Sequence, residues 1–197
     1  MGRVFVEYNL EIIGPYKIGR ENDIFQSPYA NQCGIYIWAI KVKDKYIINY
    51  IGETGLSFKK RTKEHLIQLM GGNYRVPEPK DLCVGKETIL WDGLWRKGQR
   101  DKIVEFIKIY ESLAPKIKEY IEMLNIFLIP MDVEARIRKL IEGNIAKHVR
   151  NQPFYISGLL PDDIRYITEK KIDEQSFSVK LLSSEKILGL PEKIQVG

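Results

Sequence analysis

Apolar and polar positions are most regularly patterned between Cys33 and Leu66, CGIYIWAIKVKDKYIINYIGETGLSFKKRTKEHL, and the other segments are read around this stretch. Val, Ile, Tyr and Trp dominate 35–42 and 46–51, as on a pleated, half-buried surface, and Lys43-Asp44 is the only break between them. The two runs are expected to pair as an antiparallel hairpin. A turn centred on 43–44 brings Tyr36 and Tyr50 within a residue of directly opposite each other, on one small patch of sheet. Gly52 and Gly55 then bracket Glu53-Thr54, where glycine permits a sharp turn or a close approach to the backbone. Ser57 or Thr54 caps the helix that follows. Its inward stripe is Phe58, Thr62, Leu66 and Leu69, with Arg61, His65 and Gln68 recurring beside it at i, i+4 and i+7.

The flanking pattern is less regular. Residues 4–12 read as a strand ended by Gly14-Pro15, and 16–31 are turn-rich. Gly71-Gly72-Asn73 stops the basic helix, and 73–86 reads as loop. Trp91 and Trp95, four apart, serve either core packing or a nucleic-acid stacking surface. Ile103, Ile107, Tyr110, Leu113, Ile117, Tyr120, Ile121 and Leu124 mark a helical segment over 101–124, with Pro115 opening a second helix. Ile126 to Pro130 has the continuous apolar pattern of a strand buried on both faces. Asp132 caps a helix over 133–149 with Val133, Ile137, Leu140, Ile141, Ile145 and Val149 inward. Further on, Pro161-Asp162-Asp163 begins a short helix, 176–182 reads as a strand and 184–188 as a turn of helix.

A chain of 197 residues suits one core domain with elaborations. Cys33 and Cys83 are isolated, so neither a disulfide framework nor a zinc cluster is expected. With no apolar leader before Gly14 and no run approaching the roughly 18 apolar residues of a membrane span, the expected setting is cytoplasmic, away from membranes. The net charge of +5 is modest, but residues 41–63 alone carry seven basic side chains against Asp44 and Glu53. The basic charge is therefore concentrated on the hairpin and its helix, as a phosphate backbone would require, unless it is only a solvated lysine face.

Gly34-Ile35-Tyr36, then Tyr50-Ile51-Gly52, then Arg61 and His65 on the next helix, resemble the GIY-YIG nuclease superfamily. The separation of Tyr36 and Tyr50 is longer than is usual there, which a longer hairpin turn would explain. Leu140-Ile141-Glu142-Gly143-Asn144-Ile145-Ala146-Lys147 resembles the family's third motif, whose Glu holds a divalent metal. The resemblance covers about 33–150, with a helical insertion over about 73–125. It implies an α/β (mixed α+β) domain with a small antiparallel central sheet flanked by helices. Residues 1–32 and 151–197 would be extensions packed on that core.

The same resemblance implies a metal-dependent endonuclease that hydrolyses phosphodiester bonds in DNA. Tyr36 would help take the proton from the attacking water, Arg61 would hold a phosphate oxygen, and Tyr50 would position water or phosphate. His65 would be a second donor or proton relay, and Glu142 would hold one Mg2+ or Mn2+. Lys59, Lys60, Lys63 and the backbone at Gly52 would contact nucleic acid. Glu142 otherwise reads as an exposed carboxylate paired with Arg138, and Glu134 is the second candidate for the metal. Many members of the family carry an Asn a short way after the helix of this Glu; Asn151 is nearer to Glu142 than that pattern implies and Asn144 lies inside the helix, so which of them serves, if either, stays open. Two further readings stay open: a binding module of the same fold without cleavage, and a nuclease acting on RNA or on branched or damaged DNA. Oligomeric state is not legible.

Overall fold

The computed structural model describes residues 6–197; Val4 and Phe5 of the expected first strand, and Gly2 before them, lie outside the described residues. Strand β1 (Val6–Tyr16) leads through a turn-rich segment to the hairpin β2 (Gly34–Val42) and β3 (Lys45–Thr54). Helix α1 (Phe58–Met70) follows, then β4 (Val76–Pro77), α2 (Pro79–Leu82), β5 (Ile89–Trp91) and the long α3 (Ile103–Met123). Strand β6 (Leu124–Pro130) and α4 (Ala135–Arg150) come next. The chain ends with α5 (Phe154–Ser157), β7 (Phe177–Ser183), β8 (Ile187–Leu188) and β9 (Lys193–Val196).

The expected small antiparallel sheet is overturned. Seven strands form one mixed sheet in the order β8-β3-β2-β6-β1-β7-β9, with β4-β5 a separate two-stranded ribbon. β2 lies between β3 and β6, antiparallel to both. β1 runs antiparallel to β6 but parallel to β7, and β8 runs parallel to β3. Segments expected to be extensions thus supply four of the seven strands. Their pairing is remote, with Val6 opposite Phe177, and hairpin logic reaches only strands that are neighbours in sequence.

Both faces of the central strands are buried, which explains why β2 reads IYIWAI without polar breaks. Ile35, Ile37 and Ala39 pack toward α4 with Phe127, Ile129, Ile141 and Ile145. On the other face Tyr36, Trp38 and Ile40 meet α1 and α3 through Phe58, Leu69, Ile117 and Tyr120. β6 is the doubly buried strand that its apolar run predicts.

Several boundaries differ from expectation for local reasons. β1 runs on through Gly14-Pro15 instead of ending there. The 73–86 loop contains β4 and α2. α3 is one helix with Pro115 inside it, because Leu113, Ile117 and Tyr120 carry the buried stripe past the proline while Pro115 itself faces solvent. α4 begins at Ala135 with Glu134 at its N-cap, not Asp132, and Arg138 closes the preceding turn by donating to the Val133 carbonyl. Residues 161–163 form a turn instead of a helix, and 184–188 lead into β8. Among the described residues no helix is long and apolar enough to cross a membrane.

Candidate active site

The hairpin register decides what the site contains. From Val42↔Lys45 to Ala39↔Ile48 partners pair as a two-residue turn requires, but the register then shifts and Trp38 faces Tyr50, so Asn49 is an extra residue in β3. The bulge reverses the inward and outward positions of β3 beyond it. Ile48 and Ile51, three apart, share the α4 face, while Ile47 and Tyr50 share the face toward α1. Tyr36 therefore faces Gly52, not Tyr50, and the two phenol rings are diagonal neighbours on one face, centroids 6.0 Å apart. The turn is tight, so the long spacing of the two tyrosines comes from strand length and the bulge.

Gly52 is buried beneath these rings. A Cβ there would lie 2.3 Å from the Tyr36 hydroxyl, so the absent side chain is what admits the Tyr36 ring. This is a packing role, and it leaves little of the backbone open to nucleic acid.

Helix α1 brings in the next two groups. Ser57 caps it, accepting from the Lys60 amide at 3.2 Å, while Thr54 accepts from the Leu56 amide. Its buried positions are Phe58, Thr62, His65 and Leu69, so His65 takes the inward place expected of Leu66. His65 Nε2 lies 2.7 Å from the Tyr36 hydroxyl, and Arg61 Nε donates to that hydroxyl at 3.2 Å. Arg61 also pairs with Glu64 at 3.2 Å. Because Arg61 supplies a proton to the phenol oxygen, the phenol's own proton is free to point at His65.

Burial sets the protonation states. Desolvation, followed by the Arg61 charge, lowers the His65 pKa to about 3, so the imidazole is neutral and accepts. Desolvation and then Tyr50 push the Tyr36 phenol well above its usual range, against the opposing pull of Arg61. Tyr50 is raised too, chiefly by burial.

Glu142 projects from α4 into the same electrostatic neighbourhood, where its charge acts on Tyr50 and feels Arg61. Burial first, and Glu53 second, raise its pKa to about 7. It is not paired with Arg138: that guanidinium donates to Glu53 at 3.1 Å. Glu53 and Arg138 are the site-forming residues that sequence reasoning passes over, and the signal for Glu53 is its position directly after Gly52. Glu134, at the N-cap, is exposed. Asn144 is committed elsewhere, donating to Leu140 O at 2.8 Å and Thr168 O at 2.9 Å, and Asn151 caps the end of α4 on the surface.

Among the described residues no three His, Cys, Asp or Glu side chains cluster as a metal cage. The donor chemistry nevertheless fits a weakly held divalent ion, because Glu142 is a half-buried carboxylate whose ionisation burial and Glu53 both oppose. A cation would relieve that opposition.

The basic residues separate into two groups. Lys59, Lys60 and Lys63 are exposed on α1 near Arg61, whereas Lys41, Lys43 and Lys45 sit at the hairpin tip, roughly 25 Å along the strands from Gly34. The tryptophans divide as well. Trp91 is buried and donates through Nε1 to Gly72 O at 2.7 Å, while Trp95 is 57% exposed and meets Tyr74 edge-on at 5.5 Å.

Compared with known proteins, the chain matches no family model, no curated protein and no solved structure.

Proposed function

We propose that the protein is a metal-dependent endonuclease that hydrolyses phosphodiester bonds in DNA, in the manner of the GIY-YIG nucleases it resembles. The observation that carries this reading is the Tyr36 hydroxyl, held between a neutral His65 at 2.7 Å and the Arg61 guanidinium at 3.2 Å. A buried phenol with a raised pKa does not persist as phenolate. It can relay a proton, taking one from an attacking water as it gives its own to His65 Nε2. Arg61 offers a planar fork to a phosphate oxygen. A phosphate bound there offsets the positive charge that, after burial, most depresses His65. Substrate thus raises the basicity of the group that must receive the proton.

Glu142 is the residue that would hold Mg2+ or Mn2+. When bound, the ion supplies Lewis-acid stabilisation of developing negative charge. Tyr50 packs over both Tyr36 and His65, at 6.0 and 5.5 Å between ring centres, and fixes their orientation. Exposed Lys59, Lys60 and Lys63 carry positive charge on the outer surface of α1, where neighbouring phosphates could be met.

The test is single-turnover cleavage of plasmid, single-stranded, branched and RNA substrates with Mg2+ or with chelator, by wild type and Tyr36→Phe. Phe keeps the ring and removes the hydroxyl, so cleavage should fall at least about a hundredfold with binding unchanged. Wild-type rates in Tyr36→Phe remove the tyrosine from the mechanism. Binding without cleavage of any substrate by wild type leaves a nucleic-acid-binding module.

A further inference from the structure

A cavity of about 410 Å3, within the range of small-molecule sites, roughly 300–1,000 Å3, borders the proposed proton-relay site at Tyr50 and His65. Its walls include Trp38, Asn49, Tyr50, His65, Tyr74 and Trp95, so two proposed catalytic residues form part of it. Aromatic contacts run outward without a gap. Trp38 lies 5.0 Å from His65, His65 lies 5.6 Å from Tyr74, and Tyr74 lies 5.5 Å from the exposed Trp95. The Trp38 indole Nε1–H is buried with no hydrogen-bond partner among the described residues.

Asn49 gives this apolar space a fixed polar edge. As the extra residue of the β3 bulge it joins its neighbour Tyr50 in the cavity wall. Its Oδ1 accepts from the buried Tyr120 hydroxyl at 2.7 Å, and burial raises the Tyr120 pKa, keeping that donor protonated. The amide orientation is thereby set. Its NH2 group has no hydrogen-bond partner among the described residues and, unlike the Trp38 indole N–H, is not fully enclosed. Arg75, which pairs with Asp163 at 3.8 Å, and Glu87 also stand in the wall, as does Asp163 itself.

We propose that this cavity receives one nucleobase, turned out of its stack, from the strand whose phosphate lies at Arg61. The inference rests on the nuclease reading and names its substrate class: nucleic acid with an unpaired nucleotide beside the scissile bond. A flat aromatic ring is the occupant that suits this wall, because Tyr74 and Trp95 stand at 80° to each other, so that a ring stacked on one meets the other edge-on, and Asn49 adds a polar edge. A base held in a duplex cannot offer its face to Trp95. One already unpaired in a bulge, flap or single strand enters without the cost of opening a pair.

The experiment measures affinity in chelator, where nothing is cut, for three labelled DNAs: a perfect duplex, one with a single bulged nucleotide, and one with an abasic residue at that bulge. The abasic probe keeps every phosphate and removes only the base. Wild type should bind the base-bearing bulge about tenfold more tightly than either other probe. Trp95→Ala should erase the difference between base-bearing and abasic bulges, and Trp95→Phe should restore part of it. Equal affinity of wild type for the base-bearing and abasic bulges overturns the proposal, as does full discrimination by Trp95→Ala. Adding Mg2+ to the same DNAs separates the two readings. Discrimination without cleavage leaves the base pocket standing and removes the nuclease, and cleavage without discrimination does the reverse.

Discussion

Tyr36 and Tyr50 share one face of the sheet although they are not cross-strand partners, Tyr36 lying opposite Gly52 and Tyr50 opposite Trp38. Were Asn49 paired in register with Trp38 instead of bulged, Tyr36 would pair with Ile51 and the two phenols would point to opposite faces. One bulge thus separates a packed strand from a site with both phenols on one face.

Gly52 gives the most direct test of that geometry. A methyl at Gly52→Ala would stand 2.3 Å from the Tyr36 hydroxyl and 2.8 Å from the Tyr50 ring. The Tyr36 ring must move, carrying its hydroxyl away from His65. Cleavage should fall by a hundredfold or more, while overpacking costs stability about 1–3 kcal/mol. A rate close to wild type, read beside a urea melt, would show that the ring position is not critical.

Glu142→Gln should separate stability from activity. The folded pKa, about 7, lies above the ordinary 4.5, so the side chain's contribution is fully present below 4.5 and is lost as pH rises through 7. Gln does not titrate. The variant should match wild type near pH 4.5 and be more stable at pH 8 by on the order of 2–3 kcal/mol, while losing Mg2+-dependent cleavage. Urea midpoints at both pH values check the first half and a cleavage assay the second. Equal stability at pH 8 would mean that Glu142 is not strained by ionisation.

His65 predicts the opposite acid behaviour. Its folded pKa, about 3, lies below the ordinary 6.5, so its contribution is present above 6.5 and is lost as pH falls from there toward 3. The difference in stability between wild type and His65→Gln should shrink by about 3 kcal/mol between pH 7 and pH 4. A difference that does not vary with pH would mean that His65 titrates alike in the folded and the unfolded chain.

Lys59, Lys60 and Lys63 should act on every DNA sequence alike. Replacing all three by Ala should flatten the salt dependence of binding by up to about three units of log–log slope, roughly 0.9 for each duplex phosphate that is no longer neutralised. An unchanged slope in the triple variant would leave these lysines as a solvated face.

Much of the site is legible in the sequence because its parts are local. The β-branched and aromatic runs of β2 and β3, the 3.6-residue pattern of α1 and the apolar run of β6 each follow from neighbours in sequence. The missing parts depend on distant partners. A single inserted residue leaves no mark in a run such as KYIINYIG, so the bulge at Asn49 is invisible there and the cross-strand register goes astray beyond it. The Glu53–Arg138 pair joins a strand end to a helix begun eighty residues later, whereas the sequence alone offers Arg138 to Glu142 on its own helix. The parallel pairings of β7 with β1 and β8 with β3 escape for the same reason.

The β1–β7 pairing also bears on synthesis. β6, the strand against which the hairpin is laid, has β1 as its other neighbour, and β1 in turn needs β7. As the chain leaves the ribosome, every residue of the proposed proton relay has emerged well before β7 exists. The contacts that close the sheet join residues as distant as Val6 and Phe177 and carry a large loop-closure cost, which favours their forming late. A growing chain would therefore carry Tyr36 and Tyr50 on an unfinished sheet, and the proposed cleavage would be deferred until the segment 177–196 has been made.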